Sequence, residues 1–177
     1  IQMEHIFKNK KDIGAYGERV AVHYLTLRGH RILAKNLRLK QGEIDILTYK
    51  NGVIHIIEVK TAYFATSFSS LAESDIFLPE DNLSSTKLRK LYRLREELMN
   101  RLEMGIGLDR GILDLGLNLR PDLSVSEMDI EIGGVVVYLH GNEYNNSEPY
   151  LEGVEKCPPA STKTDIKAIK VKYFPYL

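Results

Sequence analysis

Four residues early in the chain have types and spacings that could do chemistry together: Glu43, Asp45, Glu58 and Lys60. They fall in two short β-like runs, Glu43–Tyr49 and Val53–Lys60, separated by Lys50-Asn51-Gly52. Asn-Gly between such runs is a strong signal for a tight antiparallel hairpin. With Asn51 and Gly52 as a two-residue loop, Asp45 faces Glu58 and Glu43 faces Lys60, all four on one face of the ribbon. Opposed Cβ atoms lie roughly 4.5–5.5 Å apart, and like charges there are destabilising. A cation between the carboxylates, a shared proton or exposure to water would each relieve Asp45 and Glu58. Mg²⁺ takes one or two carboxylates, several waters and substrate phosphate oxygens, so these two acids could hold it. Lys60, about 6.5 Å along the strand from Glu58, could reach a bound water or a phosphate oxygen. The plainer reading is an exposed charged hairpin with a Glu43–Lys60 surface ion pair worth at most about 1 kcal/mol. Against it, Leu47, Ile54 and Ile56 share the face with the acids.

The elements around the hairpin must position these groups. Residues 11–28 read as a helix, with Asp12 as a plausible N-cap, Gly29 closing it, and Ile13, Tyr16, Val20, Tyr24 and Leu27 as its apolar row. Glu18 heads a second row with Ala21, Val22 and Leu25, where it is either at the rim or aimed at something. His30–Leu39 reads as a further strand. A second helix runs from a Ser84, Ser85 or Thr86 cap to about Glu103, buried along Leu88, Leu91, Leu94, Leu98 and Leu102. Lys87, Lys90, Arg93 and Arg101 lie on its other faces, while Arg95 falls inside the apolar row without a clear reason. Met128–Ile132 and Val135–Leu139 form a predicted hairpin through Gly133-Gly134, and Ile166–Phe174 a final strand. Residues 64–83 and 141–165 read as loop, and 105–127 are ambiguous. The order is mixed α/β in one domain with long insertions.

The length of 177 residues suits a single domain, and 44% hydrophobic content suits a packed core. No apolar run approaches the ~18 residues of a membrane span, and no secretory signal opens the chain. The expectation is a cytoplasmic protein with no membrane partner. One cysteine, Cys157, excludes an intramolecular disulfide and a cysteine metal cluster. The five histidines show no zinc spacing, and His55, on the face opposite Glu58, reads as packing or surface. Gly14-Ala-Tyr-Gly17 lacks the strand and Gly-Lys-Ser/Thr of a phosphate loop. Net charge is zero but unevenly spread. Residues 1–40 hold nine basic and three acidic residues, net +6, whereas 41–83 hold two and seven, net −5. Residues 84–101 hold six and two, net +4. Basic blocks thus flank the acidic stretch in sequence, as suits a metal site beside a phosphate backbone.

Taken together, Gly14-x-x-Gly17-Glu18, Gly29-His30-x-Ile32-Leu33-x-x-Asn36-x-Arg38, Gly42-Glu43-Ile44-Asp45 and Glu58-Val59-Lys60 resemble the YraN-like family of predicted bacterial endonucleases. That family is placed in the restriction-endonuclease-like PD-(D/E)xK superfamily and is similar to the archaeal Holliday junction resolvases. The resemblance is strong over 11–62 and extends to the helix at Lys87 and the strand at Asp129. It implies an α/β fold: a restriction-endonuclease-like core over about 11–140, a mixed central sheet flanked by helices, and an extra C-terminal segment, 141–177. It further implies a nuclease using Mg²⁺ or Mn²⁺ on nucleic acid, above all DNA and including branched DNA, and a homodimer. By the same resemblance Glu18, Asp45 and Glu58 are the metal-binding acids, Lys60 is the catalytic lysine, and Lys87 touches phosphate. Arg31, Arg38, Lys87 and Lys90 belong to the basic blocks that would hold the backbone. One departure is Ala62, where the family has an arginine. With the insertions, it motivates the alternative of a non-catalytic nucleic-acid-binding or adaptor protein that keeps the fold.

Overall fold

The computed structural model describes residues 9–64, 85–104, 129–141, 150–151 and 166–175. Helix α1 spans Lys10–Leu27. It is capped by Asn9, whose side chain accepts from the Asp12 amide at 3.0 Å, rather than by Asp12 itself. Tyr16, Val20 and Tyr24 are buried as the periodicity requires, but Leu27, in the last turn, is 55% exposed. Strands β1 (Arg31–Leu39), β2 (Gly42–Lys50) and β3 (Val53–Phe64) follow as an antiparallel meander. Both residues of the β2–β3 turn have positive φ, Asn51 at 52° and Gly52 at 90°, the conformation a twist-matched two-residue hairpin demands. The register is the expected one, Lys50 opposite Val53 through Ile46 opposite Ile57.

Helix α2 (Ser85–Met104) carries the chain over to β4 (Asp129–Gly141), which lies parallel to β3. β6 (Ile166–Phe174) pairs antiparallel with β4, and the short β5 (Tyr150–Leu151), inside a stretch the sequence suggested was loop, adds the far edge. The six-stranded mixed sheet has the order β1-β2-β3-β4-β6-β5. The expected hairpin at Gly133-Gly134 does not form. Both glycines sit inside β4, opposite Ile57 and Glu58 of β3, and Gly134 also faces Phe174 of β6. A side chain at Gly133 would put Cβ 2.9 Å from the Phe174 carbonyl oxygen, so the glycine serves close strand packing rather than a turn.

Two cores sandwich the sheet. Under α1 lie Tyr16, Val20, Tyr24 and Leu25 with Ile46, Ile57, Val135, Val137 and Ile169. Under α2 lie Leu91, Leu94, Leu98 and Leu102 with Leu47, Ile54, Ile56, Ile130 and Ile132. β3 therefore sends its odd residues to α1 and its even residues, Glu58 and Lys60 among them, to the α2 side. Arg95 is half-buried beside the α2 row, its Nε without a hydrogen-bond partner among the described residues. Among those residues no helix is long and apolar enough to cross a membrane. The expected loops 64–83 and 141–165 and the segment 105–127 lie almost wholly outside the described residues.

Candidate active site

The site forms where β2 leaves β3. Their ladder ends at Ile46–Ile57, one pair short of Asp45 and Glu58, while β2 stays paired with β1 out to Gly42. The β1–β2 ribbon thus peels away from β3, which stays paired with β4 to Phe64, and packs on α2: Leu39 and Ile44 join the α2 core, although Ile46, two residues on from Ile44, faces α1. Parting the strands frees backbone groups of β3. The Asp45 carboxylate takes one of them, accepting from the Val59 amide at 2.8 Å. Asp45 and Glu58 are neighbours as expected, but they line an opening rather than close a ladder.

Helix α2 supplies the facing wall. A cleft of about 160 Å³ is lined by Glu43, Asp45 and Glu58 from the strands and by Lys87, Lys90, Leu91 and Leu94 from the helix. The Lys87 ammonium pairs with Glu58 Oε1. Two glycines of the motifs allow the close approach of these walls. Gly42 has φ +147°, which strains any side chain there, and a Cβ would lie 2.3 Å from Lys90 Cε and displace the end of that side chain. A Cβ on Gly17 would lie 1.8 Å from Thr61 Oγ1, so glycine there lets α1 seat closely against β3.

The electrostatics match the geometry. Burial pushes the Asp45 carboxyl up, and the charges of Glu58 and Glu18 add to it against the Val59 hydrogen bond and Lys87, for a pKa of about 6. Burial lowers the Lys60 ammonium, helped by the charge and hydrogen bond of Lys87 and opposed by Glu58 and Asp45. Asp45, Glu58 and Lys87 therefore share one partly desolvated space, with the exposed Lys60 at its edge. The acids offer hard oxygen ligands suited to Mg²⁺ or Mn²⁺. Among the described residues no three Asp, Glu, His or Cys side chains are grouped so as to hold one ion. Glu18 is felt at Asp45 as a charge.

The remaining expected residues divide. Lys87 and Lys90 line the cleft. Arg38 stands at the ribbon, its Nε 3.8 Å from Glu43, so Glu43 pairs there and the Glu43–Lys60 surface pair does not form. Arg31 faces Tyr49 at the other end of β1, seven residues or about 23 Å from Arg38. Sequence reasoning did not find the Val59 amide, the Lys87–Glu58 pair or the apolar wall of Leu91 and Leu94. The glycine before Glu43 was the available sign of a close contact, without saying with what.

Fold and site define the class: an α/β protein with a restriction-endonuclease-like core, carrying an acid pair and a lysine at the rim of its central sheet. Residues 17–120 match the family model described as Uncharacterised protein family UPF0102. A UPF0102 protein of Clostridium botulinum (strain Kyoto / Type A2) is 38% identical over 91 residues, covering 51% of this chain and 72% of the relative. One of Clostridium novyi (strain NT) is 37% identical over 86 residues, 49% of this chain and 64% of that protein. One of Alkaliphilus oremlandii is 57% identical over 53 residues, 30% of this chain and 44% of the relative. The chain belongs to the UPF0102 family, the YraN family of the sequence resemblance, within the PD-(D/E)xK-like nuclease superfamily.

Proposed function

We propose that this protein is a Mg²⁺- or Mn²⁺-dependent nuclease that hydrolyses phosphodiester bonds of nucleic acid, DNA first among them. The observation that carries this reading is the meeting of Asp45, Glu58, Lys87 and Lys90 in one cleft, with Lys60 beside it, at the point where the β-ladder opens. Asp45 and Glu58 would hold the ion, with Glu18 adding negative charge from α1. Such an ion, when bound, polarises the phosphoryl group and lowers the pKa of a water toward neutrality. Val59 orients Asp45 through its amide, so that carboxylate is already placed before anything binds. Lys87 in the cleft, with the exposed Lys60 at its rim, would offset charge that develops on the phosphoryl oxygens. Lys90 in the cleft wall and Arg38 beside it would hold neighbouring phosphates without reading bases. The cleft is large enough for a phosphate and an ion but not for a base pair, so a strand would meet it through its backbone.

The test is a single-turnover assay with Mg²⁺ and Mn²⁺ on linear, branched and single-stranded DNA and on RNA, run beside a binding titration. The expected result is metal-dependent cleavage that Lys60→Ala lowers on the order of 10²-fold while leaving metal affinity equal or slightly higher. Binding without cleavage across all metals and substrates would favour the second reading, a non-catalytic nucleic-acid-binding protein. Ala62, in the place of the family's arginine, is the observation on that side.

A further inference from the structure

Outside the cleft, one carboxylate of α2 is heavily engaged. Glu97 accepts from two consecutive backbone amides of the β1–β2 turn, Lys40 to Oε1 and Gln41 to Oε2, both at 3.0 Å. Arg101, one helical turn on, donates to Oε1 from Nε at 3.0 Å and from Nη2 at 2.6 Å. Burial acts to raise this carboxyl, but the two amides and Arg101 outweigh it and hold it below the usual carboxylate range. A carboxylate that caps two amides of a turn 56 and 57 residues away is a tether between two elements.

What the tether holds is the diverging ribbon. From Ile46, the last residue of β2 paired with β3, the ribbon runs five residues to Gln41, about 17 Å of two-stranded hairpin no longer paired with β3. A two-stranded ribbon has little stability of its own and twists strongly. The β2–β3 register, continued by one pair, would bring Asp45 directly opposite Glu58 and let strand carbonyls compete for the Val59 amide. The ribbon instead bears on α2, through Leu39 and Ile44 in its core, Gly42 against Lys90, and Glu97 at the tip.

We infer that Glu97 is a positioning residue for the site: by tying the β1–β2 turn to α2 it keeps β2 parted from β3, so that Asp45 holds the Val59 amide and the cleft stays open between the acids and Lys87. Glu97 touches neither the cleft's acids nor its lysines and acts through the ribbon. The inference rests on the proposed metal site for its consequence in function, but the opening it describes exists without metal or substrate.

The experiment is amide hydrogen exchange by NMR on the metal-free full chain, with Mn²⁺ affinity by calorimetry in parallel, for wild type, Glu97→Ala, Glu97→Gln and Arg101→Leu. In Glu97→Ala the Lys40 and Gln41 amides should lose protection, the Val59 amide should change its exchange rate by tenfold or more with a shifted resonance, and the Ile54–Ile57 amides should hold. Mn²⁺ affinity should fall about tenfold, the lower end of what the outer supports of a metal ligand are worth. Glu97→Gln keeps an acceptor for one amide and should give an intermediate effect in a folded protein, which keeps the test decisive if Glu97→Ala does not fold. Arg101→Leu leaves both turn bonds and should move Val59 least. Loss of protection at Lys40 and Gln41 with Val59 and Mn²⁺ affinity unchanged would overturn the inference. Absence of Mn²⁺ binding in wild type would count against the nuclease reading alone, since Val59 reports the tether independently.

Discussion

Around strand β3, on opposite faces, two groups of ionisable residues gather about His55 and Glu58, three positions apart, and they resolve the same problem differently. On the α2 side are Glu58 with Asp45, Lys87 and Lys90. On the α1 side His55 is buried against His30, ring centroids 5.2 Å apart and edge-on. His30 also lies edge-on to Tyr173, and its Nδ1 is 3.1 Å from the buried Thr48 hydroxyl. Glu131 lies 3.4 Å from His55 Nδ1. Burial lowers His30 to about 4, with the charges of His55 and Lys50 adding to the effect, and burial also lowers His55 against the pull of Glu131. The histidines answer desolvation by staying neutral and packing with aromatic and hydroxyl neighbours. The acids and lysines answer it with opposite charges around an opening. Both regions contain perturbed groups, so perturbation alone does not mark a site. Access and convergent opposite charge do, and only the acid side has them.

Removing a carboxylate should break this contrast most sharply. Asp45→Ala and Glu58→Ala should each abolish most Mn²⁺ affinity in calorimetry and lower cleavage by about 10³-fold, at the upper end for a group acting directly on the reacting centre. His55→Asn, three residues away, should leave Mn²⁺ affinity and the activity per folded molecule unchanged. Retained Mn²⁺ binding in both acid variants would remove the distinction between the faces.

Stability against pH sharpens the comparison, because the two regions carry opposite signs. The fold keeps His30 neutral down to about pH 4, while an unfolded histidine takes a proton below about 6.5. Its contribution is present above 6.5 and lost as pH falls toward 4, by about 3 kcal/mol on that difference. Asp45 runs the other way. Its carboxyl is raised to about 6, so its ionised form strains the fold above pH 6 and is relieved as pH falls from 6 toward 3.8. Denaturant titrations between pH 4 and 8 should show His30→Asn flattening the acid loss. Asp45→Asn, whose amide oxygen can still accept from Val59, should raise stability at pH 7 by on the order of 1–3 kcal/mol. No gain at pH 7 would mean that Lys87 already compensates the acids fully.

The smallest effects concern the basic residues. Log affinity for duplex DNA should fall with log salt by about 0.9 per phosphate neutralised. Lys90→Ala and Arg38→Ala, beside the cleft, should each flatten that slope by up to about one contact. Arg31→Ala, at the far end of β1, should change it less. An equal effect at Arg31 would extend the footprint along the whole of β1.

Much of this arrangement was legible locally. The Asn51-Gly52 turn set the β2–β3 register because a two-residue loop with two positive φ values leaves one pairing, and a slip of one residue would expose every core side chain. The leucine row of α2 declared its buried face through helical spacing, and the acids with Lys60 declared a shared face through strand alternation. What the sequence could not decide was where that pairing stops. The end of the β2–β3 ladder before Asp45, the Val59 amide it frees, Lys87 on Glu58 across 29 residues and Glu97 on the turn across 57 all depend on α2 lying over the ribbon. The same holds for Gly133 and Gly134, a turn signal by local chemistry that β3 and β6 hold extended from either side. Local periodicity reports which face a residue takes; contacts between elements far apart in the chain decide what meets it there, because their energies arise only once the layers have packed.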